Sequence, residues 1–174
     1  MKYLILPFVF LGFCIACEPA PQSTSVVVEE PHPLLGSWEM RELHFVSADT
    51  TVSVTPAQPG LFLLTEDHYA FMWTPTREAR VPFEVLAQPT DEEILTGFRS
   101  VVFNAGTYSL SDSLLTTTAQ IAKVPGFEGG IQYFNFDVAD DRLELTRYDE
   151  TYPDGTKPAW SGTWQTRFVM ERGE

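Results

Sequence analysis

Cysteine is almost missing from this chain: two in 174 residues, at positions 14 and 17. Anything folded beyond Cys17 therefore has no disulfide framework and must be held by core packing. A cysteine-based zinc site is excluded for the same reason. The three histidines, His32, His44 and His68, are scattered and show no metal-ligand spacing. Positive charge is scarce as well. Eleven Lys and Arg stand against 24 Asp and Glu, a formal charge of −13. Such a chain repels phosphate backbones and anionic lipid surfaces, which excludes nucleic-acid binding. The acidity itself is read as a solubility feature. There is no Gly-x-Ser-x-Gly elbow, no phosphate-cradling glycine loop, no dinucleotide fingerprint and no catalytic cysteine. The expectation is a protein that is not an enzyme and uses neither metal nor cofactor.

The long hydrophobic run is also lacking. The longest apolar stretch, Tyr3 to Phe13, follows Lys2 and falls short of the roughly 20 residues that cross a bilayer. It has the length of a signal-peptide core, and it leads into Cys14-Ile15-Ala16-Cys17 with a small residue before the second cysteine. The segment resembles a bacterial lipobox. That resemblance implies a lipoprotein signal peptide over residues 1–16, lipidation of Cys17, and anchorage in the bacterial cell envelope, on the outer membrane facing the periplasm or at the cell surface. An ordinary cleaved signal or a buried N-terminal helix are the alternatives. Residues 17–33 then form a linker, interrupted by Pro19, Pro21, Pro31 and Pro33, polar and averse to helix.

From Leu34 to Arg172 the chain reads as strands between turn signals. Strands are expected over residues 37–46, 61–65, 68–74, 107–110, 113–121, 129–138, 142–149 and 160–172. Prolines 75, 82 and 89 punctuate a loop long enough to be a functional candidate. Thr90-Asp91-Glu92-Glu93 then opens the single helix, with Thr90 and Glu93 spaced as a capping box. Ile94, Phe98, Val101 and Val102 are read as one helical face, ended by Asn104-Ala105-Gly106. About eight strands and one helix, joined mostly by tight turns, give an all-β class: an antiparallel up-and-down sheet.

Two ends of this pattern are specific. Gly36-Ser37-Trp38 opens the domain and Val169-Met170-Glu171-Arg172 closes it. Between them come the Gly60–Trp73 aromatic hairpin, Gly106-Thr107-Tyr108, the Pro125–Gly129 segment and Asp141-Arg142-Leu143-Glu144-Leu145. In order and in ends the chain resembles the bacterial lipocalin-like domain family over residues 34–172. The resemblance implies a calycin-type barrel closed at one end by Gly36 and Trp38, with Arg172 packed over the ring, and a small apolar or amphipathic ligand at the other end. It also implies a monomer.

Strand alternation supplies the candidate ligand-binding residues. On the first strand Met40, Glu42 and His44 share the Trp38 face, while Ser37, Glu39, Arg41, Leu43 and Phe45 take the other. A carboxylate and an imidazole on one inward face could hold a polar head or move a proton; at a wet rim they would simply be solvated. Tyr69, Phe71, Trp73, Tyr108, Tyr133, Asn135 and Arg147 complete the inward set. Such a set fits an apolar pocket with polar handles and equally an ordinary aromatic core. An inward Arg147 requires an anionic partner. Two acidic turns, Asp137/Asp140/Asp141 and Asp149/Glu150/Asp154, lack calcium-loop spacing. The leading expectation is thus a tethered small-molecule binder. The rivals are a structural or interaction lipoprotein whose barrel is filled by its own side chains, and an isomerase- or cyclase-type enzyme.

Overall fold

The computed structural model describes residues 31–173; the expected signal segment, Cys17 and all but the last three residues of the expected linker lie outside the described residues. Nine strands and one helix follow in order: β1 Gly36–Val46, β2 Thr51–Val54, β3 Leu61–Leu64, β4 His68–Trp73, α1 Asp91–Arg99, β5 Val102–Ser111, β6 Leu114–Ala122, β7 Ile131–Ala139, β8 Arg142–Thr151 and β9 Gln165–Arg172. All pairings are antiparallel, and β1 joins β9 to close the sheet. Eight strands form the closed up-and-down barrel. The ninth, β2, pairs with the far half of β1 (Leu43–Val46), whereas β3 pairs with its near half (Gly36–Glu39). The sequence reading missed β2, which has only four residues.

The hairpins turn where short acidic residues accept a left-handed backbone. Asp112 (φ 47°) and Asp140 (φ 54°) lie in the β5–β6 and β7–β8 turns. The helix starts as its capping box dictates: the Thr90 hydroxyl accepts from the Glu93 N–H, and the Glu93 carboxylate accepts from the Thr90 N–H at 2.7 Å. It ends earlier than expected. Arg99 is its last residue, the Ser100 hydroxyl bonds back to the Gly97 carbonyl, and β-branched Val101-Val102 leads directly into β5. Asn104, Ala105 and Gly106, read as the helix end, are strand residues. Gly106 is required there: a Cβ would lie 2.1 Å from the Thr118 carbonyl oxygen. Likewise the last strand starts at Gln165 rather than Trp160.

The core is solid. Phe62, Phe71, Trp73 and Phe168 make edge-on contacts at 4.8–5.1 Å, and Phe134 joins them at 6.5 Å from Phe71. At the end where the chain enters, Trp38 is fully buried and donates its indole N–H to the Leu34 carbonyl at 2.8 Å. The Arg172 guanidinium lies 4.2 Å from the Trp38 ring and also donates to the carbonyls of Leu35 and Pro33. Gly36 sits at φ +123°, and a Cβ would crowd Arg172 Nη1 at 3.2 Å.

Three bulges alter the faces predicted from alternation. In β1 the register slips between Met40 and Glu42, with Arg41 as the extra residue. Leu43 is consequently buried at 1% exposure and Phe45 packs on the core, while Glu42 and His44 fall on the outer face. There His44 contacts Ser53 Oγ at 2.8 Å and Glu42 at 3.0 Å. A second slip in the β7–β8 pairing makes Tyr148 the extra residue, and a third at Ala105/Gly106 places one in β6.

Candidate functional site

The end opposite Trp38 is the mouth. It is built from the starts of β5 and β7, the ends of β6 and β8, and the loops that follow the latter two. A cleft of about 520 Å³ opens here. Its walls are apolar: Val102, Phe103, Val124, Phe127, Tyr152 and Pro153. The β6–β7 loop forms one lip, with the Phe127 ring edge-on to Tyr152 at 6.2 Å.

The floor is polar and connected. Before the Tyr148 bulge Arg147 points inward, and after it so does Glu150, so both meet on one face. Arg147 Nη1 lies 3.3 Å from Glu150 Oε2, and the two side chains are 15% and 9% exposed. The same carboxylate oxygen accepts from Gln132 Nε2 at 2.6 Å. Gln132 Oε1 accepts in turn from Asn104 Nδ2 at 3.4 Å, and Arg147 Nη2 donates to the Thr166 hydroxyl at 3.3 Å. Burial depresses the Arg147 pKa, opposed by the Glu150 charge. Its Nε is buried without a partner. Below this layer the hydroxyls of Tyr69 and Thr117 are buried beside one another; burial raises the Tyr69 pKa, the Thr117 hydroxyl opposes that rise, and the Glu150 charge adds to it. A polar layer thus caps the aromatic core.

A lid covers the arginine. Residues 152–163 fold back so that the Trp160 ring stacks 4.7 Å from the Arg147 guanidinium. Asp149 pins this loop through Lys157 Nζ and through the Ser161 hydroxyl at 2.6 Å. These bonds, that from Lys157 foremost, hold the Asp149 carboxyl below the ordinary carboxylate range. A depressed carboxylate stabilises the pinned loop above its unfolded pKa and loses that contribution as pH falls through the lowered value. Acidification below pH about 4 is therefore expected to free the lid, read as rising acrylamide quenching of tryptophan fluorescence. Asp149→Asn should show the raised quenching already at neutral pH.

The structure redistributes the residues proposed from sequence. Of the ten ligand-binding candidates, only Arg147 lines the mouth cleft. Tyr69, Phe71 and Trp73 are inward but are packed in the core, as is Met40. Met40 and Trp73 also border a separate cleft of about 830 Å³ in the barrel side, where residues 55–60 leave the wall between β2 and β3. Tyr108 sits near the closed end, its hydroxyl donating to the Thr65 and Glu66 carbonyls. Tyr133 and Asn135 face outward, a correction with a simple cause. The apolar alternate of β7 is Phe134, Phe136 and Val138, and burying that set is favoured. Tyr133 stacks outside near Tyr148 at 6.3 Å. Sequence reasoning missed Asn104, Gln132 and Glu150. Gln132 shares the Phe134 face and was legible. Glu150 was hidden by the bulge and counted in an acidic turn. Among the described residues no three His, Cys, Asp or Glu side chains gather to hold a metal.

Comparison with known proteins places this geometry. In structure the chain is similar to a lipocalin-like protein from Bacteroides uniformis, at 14% identity and a TM-score of 0.41, covering 82% of this chain and 100% of that one. It is also similar to an uncharacterized protein from Bacteroides eggerthii, at 11% identity and 0.40, covering 80% and 98%. A search of curated proteins found no match. The profile of the lipocalin-like domain matches residues 35–172, nearly the whole of the chain from the first barrel strand to the last. A closed eight-stranded barrel, an arginine over its plugging tryptophan and this match together say that the chain belongs to the lipocalin-like domain family.

Proposed function

We propose that this protein binds a small, predominantly apolar molecule in the mouth of its barrel. One observation carries the reading. The mouth pairs apolar walls with a connected polar floor of Arg147, Glu150, Gln132 and Asn104, the combination expected of a ligand site. Because aromatic rings fill the barrel below Arg147, the ligand lies across the mouth rather than deep within the barrel. The reading is of binding rather than catalysis, and the outward turn of one candidate pair supports it. Glu42 and His44, the pair that could have moved protons inside, are turned outward and engaged with Ser53 and each other. The test is native mass spectrometry of the protein purified without detergent. A retained small molecule that is lost on Phe127→Asp supports the reading. A ligand-free protein that also takes up no added apolar probe overturns it and leaves the filled-barrel structural role.

We further propose that the barrel is tethered in the bacterial cell envelope through a lipid on Cys17. The support is the sequence alone: an apolar run too short to span a bilayer, a small residue before Cys17 and a proline-rich spacer after it. Metabolic labelling with a lipid precursor is expected to tag the wild type and not Cys17→Ser. A Cys17→Ser protein that is still labelled and membrane-retained would refute the tether.

A further inference from the structure

The helix α1 uses one of its sides and leaves another open. None of its nine residues is buried. The used side meets the loop before it. Gly97 comes against the Phe83 ring, which an added Cβ would approach to 3.0 Å, and Glu93 accepts from the Glu84 N–H at 2.7 Å. Just beyond the helix, Arg80 Nε donates to the Ser100 hydroxyl at 2.9 Å. The open side carries Ile94, Leu95 and Phe98, spaced for a single face and 48%, 54% and 44% exposed. Helices this short owe their stability mainly to packing of an apolar face, and here that face is half in water. It also continues into the mouth. Lys123 Nζ donates to the Val101 carbonyl at 2.6 Å and lies 4.3 Å from the centre of the Phe98 ring. The next residue, Val124, is exposed and forms part of the cleft wall. An apolar helix face that runs into the rim of a cleft marks a contact surface.

Resting on the tether reading above, we propose that this face docks on a bilayer of zwitterionic lipid, with the mouth turned toward the membrane. Three observations select this occupant. The first is reach. Residues 18–30 lie between Cys17 and Pro31, and at up to about 3.5 Å per residue they span roughly 45 Å. β1 climbs from the closed end to the mouth over eleven residues, about 36 Å. A lipid on Cys17 therefore lets the mouth end reach the surface although the chain enters at the other end. The second is size. A nine-residue helix is about 14 Å long, too short a face for the roughly 800 Å² per partner of a stable dimer. A tether makes docking intramolecular, so a weak apolar patch suffices. The third is charge. Residues 75–101 carry Arg77, Arg80 and Arg99 against Glu78, Glu84, Asp91, Glu92 and Glu93, which gives 3 − 5 = −2. No cation excess is present to hold anionic headgroups, and the whole chain at −13 is repelled by them.

The experiment uses the processed full-length protein with phosphatidylcholine vesicles whose acyl chains carry a doxyl quencher. Loss of Cys14 and lipidation of Cys17 leave no free thiol, so Leu95→Cys, Val124→Cys and Ser113→Cys each take a single fluorophore. All three positions are exposed, and Ser113 lies at the closed end. The chain should float with the vesicles. Labels at 95 and 124 should be quenched at least about twofold more than the label at 113. Added phosphatidylglycerol should weaken that quenching. A floating chain in which the quencher reaches 95 and 124 no more than 113 overturns the docking while the tether stands, and assigns the face to a second copy or another protein. Quenching that phosphatidylglycerol leaves unchanged or strengthens overturns the choice of zwitterionic lipid. Label on the unsubstituted chain overturns the tether alone. A chain that does not float overturns tether and docking together.

Discussion

Trp38→Ala is expected to destabilise the barrel by about 4 kcal/mol, the upper part of the range for deleting a buried aromatic ring. The melting temperature should fall by on the order of 10 °C. Three losses combine at this one position. The ring is fully buried, so its removal leaves a cavity at the closed end. The Leu34 carbonyl loses the indole N–H that satisfies it. The Arg172 guanidinium loses the face on which it stacks. Arg172→Met keeps an aliphatic cover over the ring and removes the stacking, the carbonyl bonds and an exposed ion pair with Asp141 at 3.4 Å, so it should cost nearer ~1 kcal/mol. Urea unfolding of both variants measures the difference. Equal costs would mean that the arginine, rather than the ring, holds this end together.

Arg147→Met is expected to cost about 3 kcal/mol, because it leaves the Glu150 carboxylate buried with Gln132 as its one side-chain partner. The informative variant is the double one. Replacing Glu150 by Leu as well removes the stranded charge, and stability should return to within about 1 kcal/mol of the wild type. That recovery would show that the pair is not there for stability. Its retention at the mouth would then be explained by what it does for a ligand. Simple additivity of the two single changes in urea unfolding would show instead that the two charges do not interact.

The two arginines also mark what the sequence made legible and what it concealed. Arg172 could be placed over Trp38 because β9 runs without interruption from Gln165, so counting by twos is safe there. The turns at Asp112 and Asp140 were legible because few residues accept their backbone angles. The inward or outward sense of Glu42, His44 and Glu150 was not. Each lies beyond a bulge, and one inserted residue exchanges every subsequent side chain between core and solvent. Nothing in the composition around Arg41 or Tyr148 announces the insertion; it is imposed by the partner strand. The boundary at Val101-Val102 failed differently. Apolar residues at helical spacing there are equally apolar at strand spacing, and pairing of Val102 with Trp73 decides the matter. Two of the three residues absent from the sequence-based site, Asn104 and Glu150, were thus misplaced by a boundary or a bulge; Gln132 was lost to choosing the wrong face of β7.

The pairing of β1 with β9 has a topological consequence. Trp38 lies opposite Arg172 in the ladder, so the first and last barrel strands are ordinary neighbours and the sheet is a ring with no intrinsic beginning. Joining residue 173 to residue 34 through a short linker and cutting the chain at Asp112 or Asp140 would yield a circular permutant that keeps every strand neighbour. Both cuts fall at the Trp38 end, away from Arg147 and Glu150. The order in which the strands leave the ribosome would change while the mouth did not, which separates the folding route of this barrel from the chemistry that its rim presents.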